Sequence, residues 1–232
     1  MTTQEILATL EELGTAQNRK VYKRHGAPDT MFGVSYANFA KLKKEIQSPE
    51  GKKGVNQNIA EELWDTGNMD ARVLACMIAE PKKSTKQLVR HWAAEISYYP
   101  LADELATLIS QTDYAEKLTK EWIEDDREYV RRIGWYIVAK QIKAKKFKED
   151  NYYSSFIKIG AKILQSSPNR AKEAINNTLI AIGGINEELR KEVEAAAQII
   201  GPVEIDHGDT SCQTFVIEDY LERIWLRKSK LK

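Results

Sequence analysis

The sequence predicts an all-α protein, a solenoid of about six antiparallel helix pairs, and three observations predict it. Apolar residues recur at helical spacing, in segments of about ten to fifteen residues, from one end of the chain to the other. No alternating run convincing as a strand lies between them. The segments fall in pairs every thirty to forty residues or so, about the spacing of tetratricopeptide and HEAT-type arrays. A chain of 232 residues then holds about six pairs, read as a single domain over residues 1–232. Such an array is a curved surface with a long concave face, so what lies along that face decides the function.

The elements follow in order. Thr3 is positioned to cap a first helix with the stripe Ile6, Leu7, Leu10 and Leu13, and Gly14 stops it. A second helix runs to His25. Gly26, Pro28 and Gly33 mark a loop, after which Ser35 caps a helix with Phe39, Leu42 and Ile46 on one face. A lysine- and glycine-containing turn over 48–54 closes that unit. The next pair is 58–66 and 69–80, split at Gly67 and closed by Pro81. Helices are then predicted over 85–97, 101–110, 114–124, 126–146, 152–165, 169–182 and 187–200. An irregular segment, 201–214, precedes a closing helix over 216–228.

Composition narrows the class. A hydrophobic share of 42% and a charged share of 30% belong to a globular protein. No stretch approaches the roughly 18 apolar residues of a membrane helix, and Met1-Thr-Thr-Gln-Glu lacks the basic and apolar regions of a signal peptide, which predicts a cytoplasmic location with no membrane partner. Two cysteines, Cys76 and Cys212, argue against a disulfide framework. The net charge of +1 conceals an uneven distribution. Basic clusters occur at Arg19, Lys20, Lys23 and Arg24, at Lys41, Lys43 and Lys44, at Lys82, Lys83 and Lys86, and at Lys140, Lys143, Lys145, Lys146 and Lys148. Turned toward one side they would attract phosphate; taken singly, each reads as a solvated face.

One internal echo supports a repeat. Glu62-Leu-Trp64 leads through an acidic turn to Ala71-Arg72, and Glu121-Trp122 leads through a similar turn to Val130-Arg131-Arg132.

Several stretches together resemble a known family. They are Arg24-His-Gly-Ala-Pro-Asp with Phe32-Gly-Val-Ser, then Leu63-Trp-Asp-Thr-Gly-Asn-Met-Asp-Ala-Arg-Val-Leu-Ala75, which is the longest and most specific. Ser97-Tyr-Tyr-Pro-Leu-Ala-Asp103, Glu121-Trp-Ile-Glu-Asp-Asp and Val130-Arg-Arg-Ile-Gly-Trp135 follow. The chain resembles, over nearly its whole length, the bacterial HEAT-like-repeat alkylpurine DNA glycosylases, the AlkD-type DNA alkylation repair proteins. The resemblance implies a right-handed ARM/HEAT-like α-α superhelix. It also implies cleavage of the N-glycosidic bond of a cationic base, N3-methyladenine or N7-methylguanine, in duplex DNA without metal or cofactor; a capped solenoid of this size is expected to be a monomer with no obligate protein partner.

In that resemblance Asp103 takes the place of the catalytic aspartate, whose carboxylate stabilises the sugar cation as the bond breaks. Arg132 takes that of an arginine reaching the DNA backbone, with Arg131 as a neighbour able to replace it. Tyr99 stands where a tryptophan packs on the sugar. A further tryptophan of the family would fall near Asn176 or Asn177, and its absence is a departure for which Tyr98 or Trp135 would compensate. Structural readings stand beside these. Asp103 fits the first turn of a helix, where a carboxylate favours the dipole, and the two arginines fit ion pairs with the acidic turn at 124–128. The tryptophans read as core by default. The stretch Asp206-His-Gly-Asp-Thr-Ser-Cys212 lacks zinc spacing and reads as a turn capping the last helix.

Two non-catalytic readings remain: a HEAT-like DNA-binding protein and a protein-interaction scaffold.

Overall fold

The structure, a computed structural model, describes residues 1–47 and 56–230. The turn expected over 48–54 lies outside the described residues. Among these residues the secondary structure is all helix: α1 (Thr3–Leu13), α2 (Ala16–Arg24), α3 (Tyr36–Ile46), α4 (Asn56–Asp65), α5 (Met69–Ile78), α6 (Lys86–Ala94), α7 (Tyr99–Ile109), α8 (Ala115–Trp122), α9 (Glu128–Lys143), α10 (Asp150–Ile163), α11 (Asn169–Gly183), α12 (Glu187–Ile200) and α13 (Ile217–Ser229). None of them is long and apolar enough to cross a membrane.

Among the described residues, side-chain caps start six of these helices. Ser35, Asn68, Thr85 and Asn186 each accept an amide of the first turn of α3, α5, α6 and α12. At α1 the cap is Thr2 rather than Thr3. The Thr2 hydroxyl accepts from the Glu5 amide while the Glu5 carboxylate accepts from the Thr2 amide at 2.8 Å, a capping box. Thr3 sits inside the first turn, where its hydroxyl donates to Glu62. The predicted helix over 126–146 is shorter at its end because the chain turns left-handed at Lys145, φ 56°.

The helices gather into two compact units, Met1–Ala115 with Gly208–Thr210, and Glu116–His207 with Ser211–Lys232. In the first, α5 is the central helix, buried on nearly every side from Met69 to Ile78. Trp64 of α4 stacks on Trp92 of α6, ring centroids 4.5 Å apart. In the second, α9 and α11 pack side by side over a core that includes Trp135, Phe156, Ile175, Leu179, Val193 and Leu221. Gly134 makes the α8–α9 approach possible: a Cβ there would lie 2.8 Å from the Trp122 carbonyl carbon and 2.9 Å from the Ile123 nitrogen.

The segment before the last helix behaves differently from the expectation. Val216 is the N-cap of α13 and supplies no side-chain cap, so the polar stretch at 206–212 does not cap that helix. Instead Asn169, at the start of α11, clamps the Asp206 backbone, donating to its carbonyl at 2.7 Å and accepting from its amide at 2.8 Å. The last helix is held by Trp225, which donates to the Gly183 carbonyl at 3.1 Å, and by Lys228, which donates to the Gly184 and Ile185 carbonyls past the end of α11.

Candidate functional site

In the first unit the site is built on α7. Tyr98 is its N-cap and Pro100 occupies its first turn, a position where proline's missing amide is harmless. Tyr99 and Asp103 are four residues apart on this helix and therefore share one face, both half-buried. There is no acidic residue in the first turn, which removes the reading of Asp103 as a dipole-stabilising carboxylate. The Tyr99 hydroxyl and His25 Nδ1 lie 3.1 Å apart in a hydrogen bond, their rings edge to face at 6.2 Å. Tyr36, the first residue of α3, is 45% exposed as a residue. Its phenol end is enclosed: burial first, then the carboxylates of Glu104 and Asp103, push its ionisation far above the ordinary tyrosine range.

The same unit contains a tightly held loop. Asp70, the second residue of α5, is fully buried and accepts three backbone amides, Phe32 at 2.6 Å, Gly33 at 3.0 Å and Val34 at 3.0 Å. Burial pushes its carboxyl above the ordinary value, while the three amides and Arg19 pull the other way. The loop's carbonyls are used as well: Gly33 accepts from Asn18 at 3.0 Å, Phe32 from Arg19 at 2.9 Å, and Val34 from the Tyr22 hydroxyl at 2.9 Å. Gly33 is obligatory here. Its φ is 84° and a Cβ would lie 2.7 Å from the Thr15 carbonyl oxygen. One carboxylate thus joins two of the sequence stretches that carry the family resemblance, around Phe32 and around Asp70, and α2, with His25 at its C-cap, is tied to the same loop.

The second unit holds the two arginines, and neither is presented as expected. Arg131 donates to the Asp125 carbonyl at 2.7 Å and to the Ser167 hydroxyl at 3.1 Å, with Asp126 3.8 Å away. This bears out the structural use of arginine at the acidic turn. Arg132 is 1% exposed, donating to the Arg170 carbonyl and the Glu173 carboxylate, both at 2.8 Å. An arginine offered to a phosphate is therefore corrected to an arginine enclosed between α9 and α11. Trp135 is likewise corrected: it is fully buried, donates to the Ile123 carbonyl at 2.9 Å, and has no face left for a ligand. Tyr98 is 5% exposed and packs on Tyr99.

The position where the family would carry an aromatic holds Asn176, fully buried and bonded to the Phe215 carbonyl, and Asn177, whose amide donates to the Tyr136 hydroxyl at 3.1 Å. Tyr136 is the residue that sequence reasoning passed over. Its half-buried ring lies 4.6 Å from the Arg132 guanidinium and 5.9 Å from the Lys140 ammonium. The signal was available, since 132, 136 and 140 recur every four residues along α9. Among the described residues no group of three or more His, Cys, Asp or Glu side chains is assembled to hold a metal.

Comparison with known proteins gives these residues a context. Residues 6–198 match the family described as DNA alkylation repair enzyme. An uncharacterised protein of Listeria innocua is 26% identical over 227 residues, 96% of this chain and 97% of its own length. One of Listeria monocytogenes matches to the same extent, 26% over 227 residues. A solved structure described as from a new family of proteins related to the HEAT-like repeat DNA glycosylases, with affinity for branched DNA structures, superposes with a TM-score of 0.86 at 25% identity, covering 98% of this chain and 95% of that one. The fold is accordingly the HEAT-like repeat fold.

Proposed function

Because this chain belongs to the DNA alkylation repair enzyme family, we propose that it excises cationic alkylpurines, N3-methyladenine and N7-methylguanine, from duplex DNA. The observation that carries the reading is the pair Tyr99 and Asp103 on one partly open face of α7. A purine alkylated at N3 or N7 is already positively charged. When its bond to C1′ breaks, the electron pair leaves with the base and neutralises it, so no general acid is required. Positive charge appears instead on the sugar. The Asp103 carboxylate offsets that charge and orients a water, whose oxygen bonds to C1′ as its proton passes to the carboxylate. The Tyr99 ring supplies an aromatic face for the sugar. Arg132 acts indirectly in this scheme, holding Tyr136 from behind, and Lys140 beside that ring is the cation available to a phosphate.

A second reading, recognition of DNA without excision, is favoured by two observations. The Tyr99 hydroxyl is engaged by His25, and the arginine that would anchor phosphate is enclosed. The affinity of the structural relative for branched DNA fits the same reading. The two separate in one experiment, release of methylated purines from treated duplex by the wild type and by Asp103→Asn. Excision that vanishes in the variant while DNA binding persists supports the glycosylase. A well-folded wild type that binds DNA and releases no base leaves the binding protein.

A further inference from the structure

The loop joining α9 to α10 is lysine-rich, with Glu149 at its far end, and it carries an aromatic that is about half exposed. Residues 143–148 are all exposed, and Phe147 at their centre is 54% exposed. Lys148 pairs with Glu116 at 3.5 Å, and its backbone amide donates to the Tyr153 hydroxyl at 3.1 Å, which anchors the loop's far end. The nearby Asp150 is occupied by the Asn186 amide at 2.9 Å. Lys143, Lys145 and Lys146 have no acidic partner among the described residues, so the loop's charge is left for an outside anion.

Its near end is built in an unusual way. The Lys145 amide donates to Ile142 and the Lys146 amide to Gln141, both at 2.9 Å, which is the Schellman pattern of a helix C-terminus. That pattern places Lys145 at the left-handed position, φ 56°, where glycine is the ordinary residue and a side chain is strained. Folding by itself favours glycine there. A lysine at that place, exposed and with no acidic partner among the described residues, points to an interaction that needs the charge.

We propose that this loop is a nucleic-acid contact in which Lys143, Lys145 and Lys146 take backbone phosphates while Phe147 stacks on an unpaired base, so that its partner is DNA with unstacked bases at a branch or junction. Lysines alone would serve any duplex. An exposed phenylalanine among them has a use only where a base face is accessible, and in an intact duplex those faces are occupied by stacking. The surface is independent of Asp103 and of the excision chemistry.

The test is fluorescence anisotropy with a labelled three-way DNA junction and with a fully paired duplex of the same length. Phe147→Ala is expected to weaken junction binding about tenfold and duplex binding less than about twofold. The triple variant Lys143→Gln, Lys145→Gln, Lys146→Gln is expected to weaken both and to flatten their salt dependence. Lys145→Gly separates function from structure: it should raise the melting temperature by a few degrees while weakening DNA binding. Excision of methylated purines from unbranched duplex by Phe147→Ala should stay at the wild-type level; where the wild type excises nothing, the binding comparison is read unchanged. Junction affinity unaltered by Phe147→Ala, or DNA affinity unaltered by Lys145→Gly, overturns the proposal. Loop-dependent binding to phosphatidylglycerol vesicles without any effect on the junction overturns it in favour of a membrane surface.

Discussion

The helix pair α4–α5 and the helix pair α8–α9 are two versions of one design, and their differences show which residues the repeat itself requires. In both, an arginine of the second helix donates back to a backbone carbonyl of the preceding segment, in the last turn of α4 and in the turn that follows α8. Arg72 reaches Trp64 O at 3.1 Å and Arg131 reaches Asp125 O at 2.7 Å. The Trp64 carbonyl also accepts the Gly67 amide at 3.2 Å, so Arg72 adds a second bond to it, while Arg131 ties down a carbonyl of the turn after α8. Arg131 is therefore the arginine of the repeat. The next position differs in kind: Val73, 2% exposed, in the first pair and Arg132, 1% exposed, in the second. Where packing alone is at issue the site takes valine. The second unit places a buried charge there and must supply Glu173 to balance it. Three positions after the arginine the pairs differ again, with Ala75 in α5 and Gly134 in α9, the latter allowing α8 and α9 to touch backbone to backbone.

The sharpest way to break this comparison is to strand the buried charge. Glu173→Ala is expected to lower stability by about 3–5 kcal/mol, whereas Arg132→Met combined with Glu173→Leu stays near the wild type, because an apolar pair suits the site as valine does in the first unit. Urea midpoints of the three proteins decide it, and equal losses in the single and double variants would mean that the ion pair is not what holds α9 to α11. Next in size, Gly134→Ala should cost about 2 kcal/mol by forcing backbone apart. The reverse change in the first pair, Ala75→Gly, is expected to cost about 1 kcal/mol through helix propensity and lost packing. Arg72→Ala and Arg131→Ala should each lose about 1–2 kcal/mol. Arg72 should lose the more, since its guanidinium also lies over Trp64 at 4.8 Å and pairs with Glu95 at 2.6 Å.

The smallest effect concerns acid. In the α8–α9 turn the Arg127 side chain, with its own amide, holds the Asp125 carboxyl below the ordinary aspartate range despite some burial. A depressed folded-state value means that the unfolded chain binds the proton more readily. The contribution is thus present above the ordinary range and is lost as pH falls through the folded-state value. Asp125→Asn should destabilise by less than about 1 kcal/mol at neutral pH and by nothing in strong acid. The α4–α5 turn is capped by the neutral Asn68, which accepts from the Ala71 amide at 3.1 Å, so Asn68→Ala should cost the same at both pH values. Equal pH dependence in the two variants would contradict the assignment.

Several of these features were legible in the chain itself. Helix positions follow from apolar periodicity, which each segment carries locally, and the Trp-to-Arg echo located both halves of the repeat. The N-terminal cap was also legible and was placed one residue late. Thr2 and Thr3 are equivalent as capping residues, and only the three-residue spacing from Thr2 to Glu5 distinguishes them. The burial of Arg132 was not legible, because its partner Glu173 lies 41 positions away and nothing local separates an enclosed arginine from an exposed one. Tyr136 was half legible: the guanidinium and ammonium beside its ring come from its own helix at four-residue spacing, and only the Asn177 amide arrives from a distant one.

What the sequence by itself determined, then, is what depends on neighbours along the chain: the helices, most of their stops, the repeat and the family stretches, whereas the extension of α7 back to Tyr99, which puts Tyr99 and Asp103 on one face, came only with the structure. Tertiary structure alone decided how side chains from distant segments share space. It buried Arg132 against Glu173 and Trp135 in the core, bound Tyr99 to His25, gathered three loop amides on Asp70, and left Phe147 about half exposed among lysines. The division has a physical cause. Periodicity and capping are interactions over three or four residues, whereas desolvation and ion pairing depend on what the rest of the chain places around a side chain.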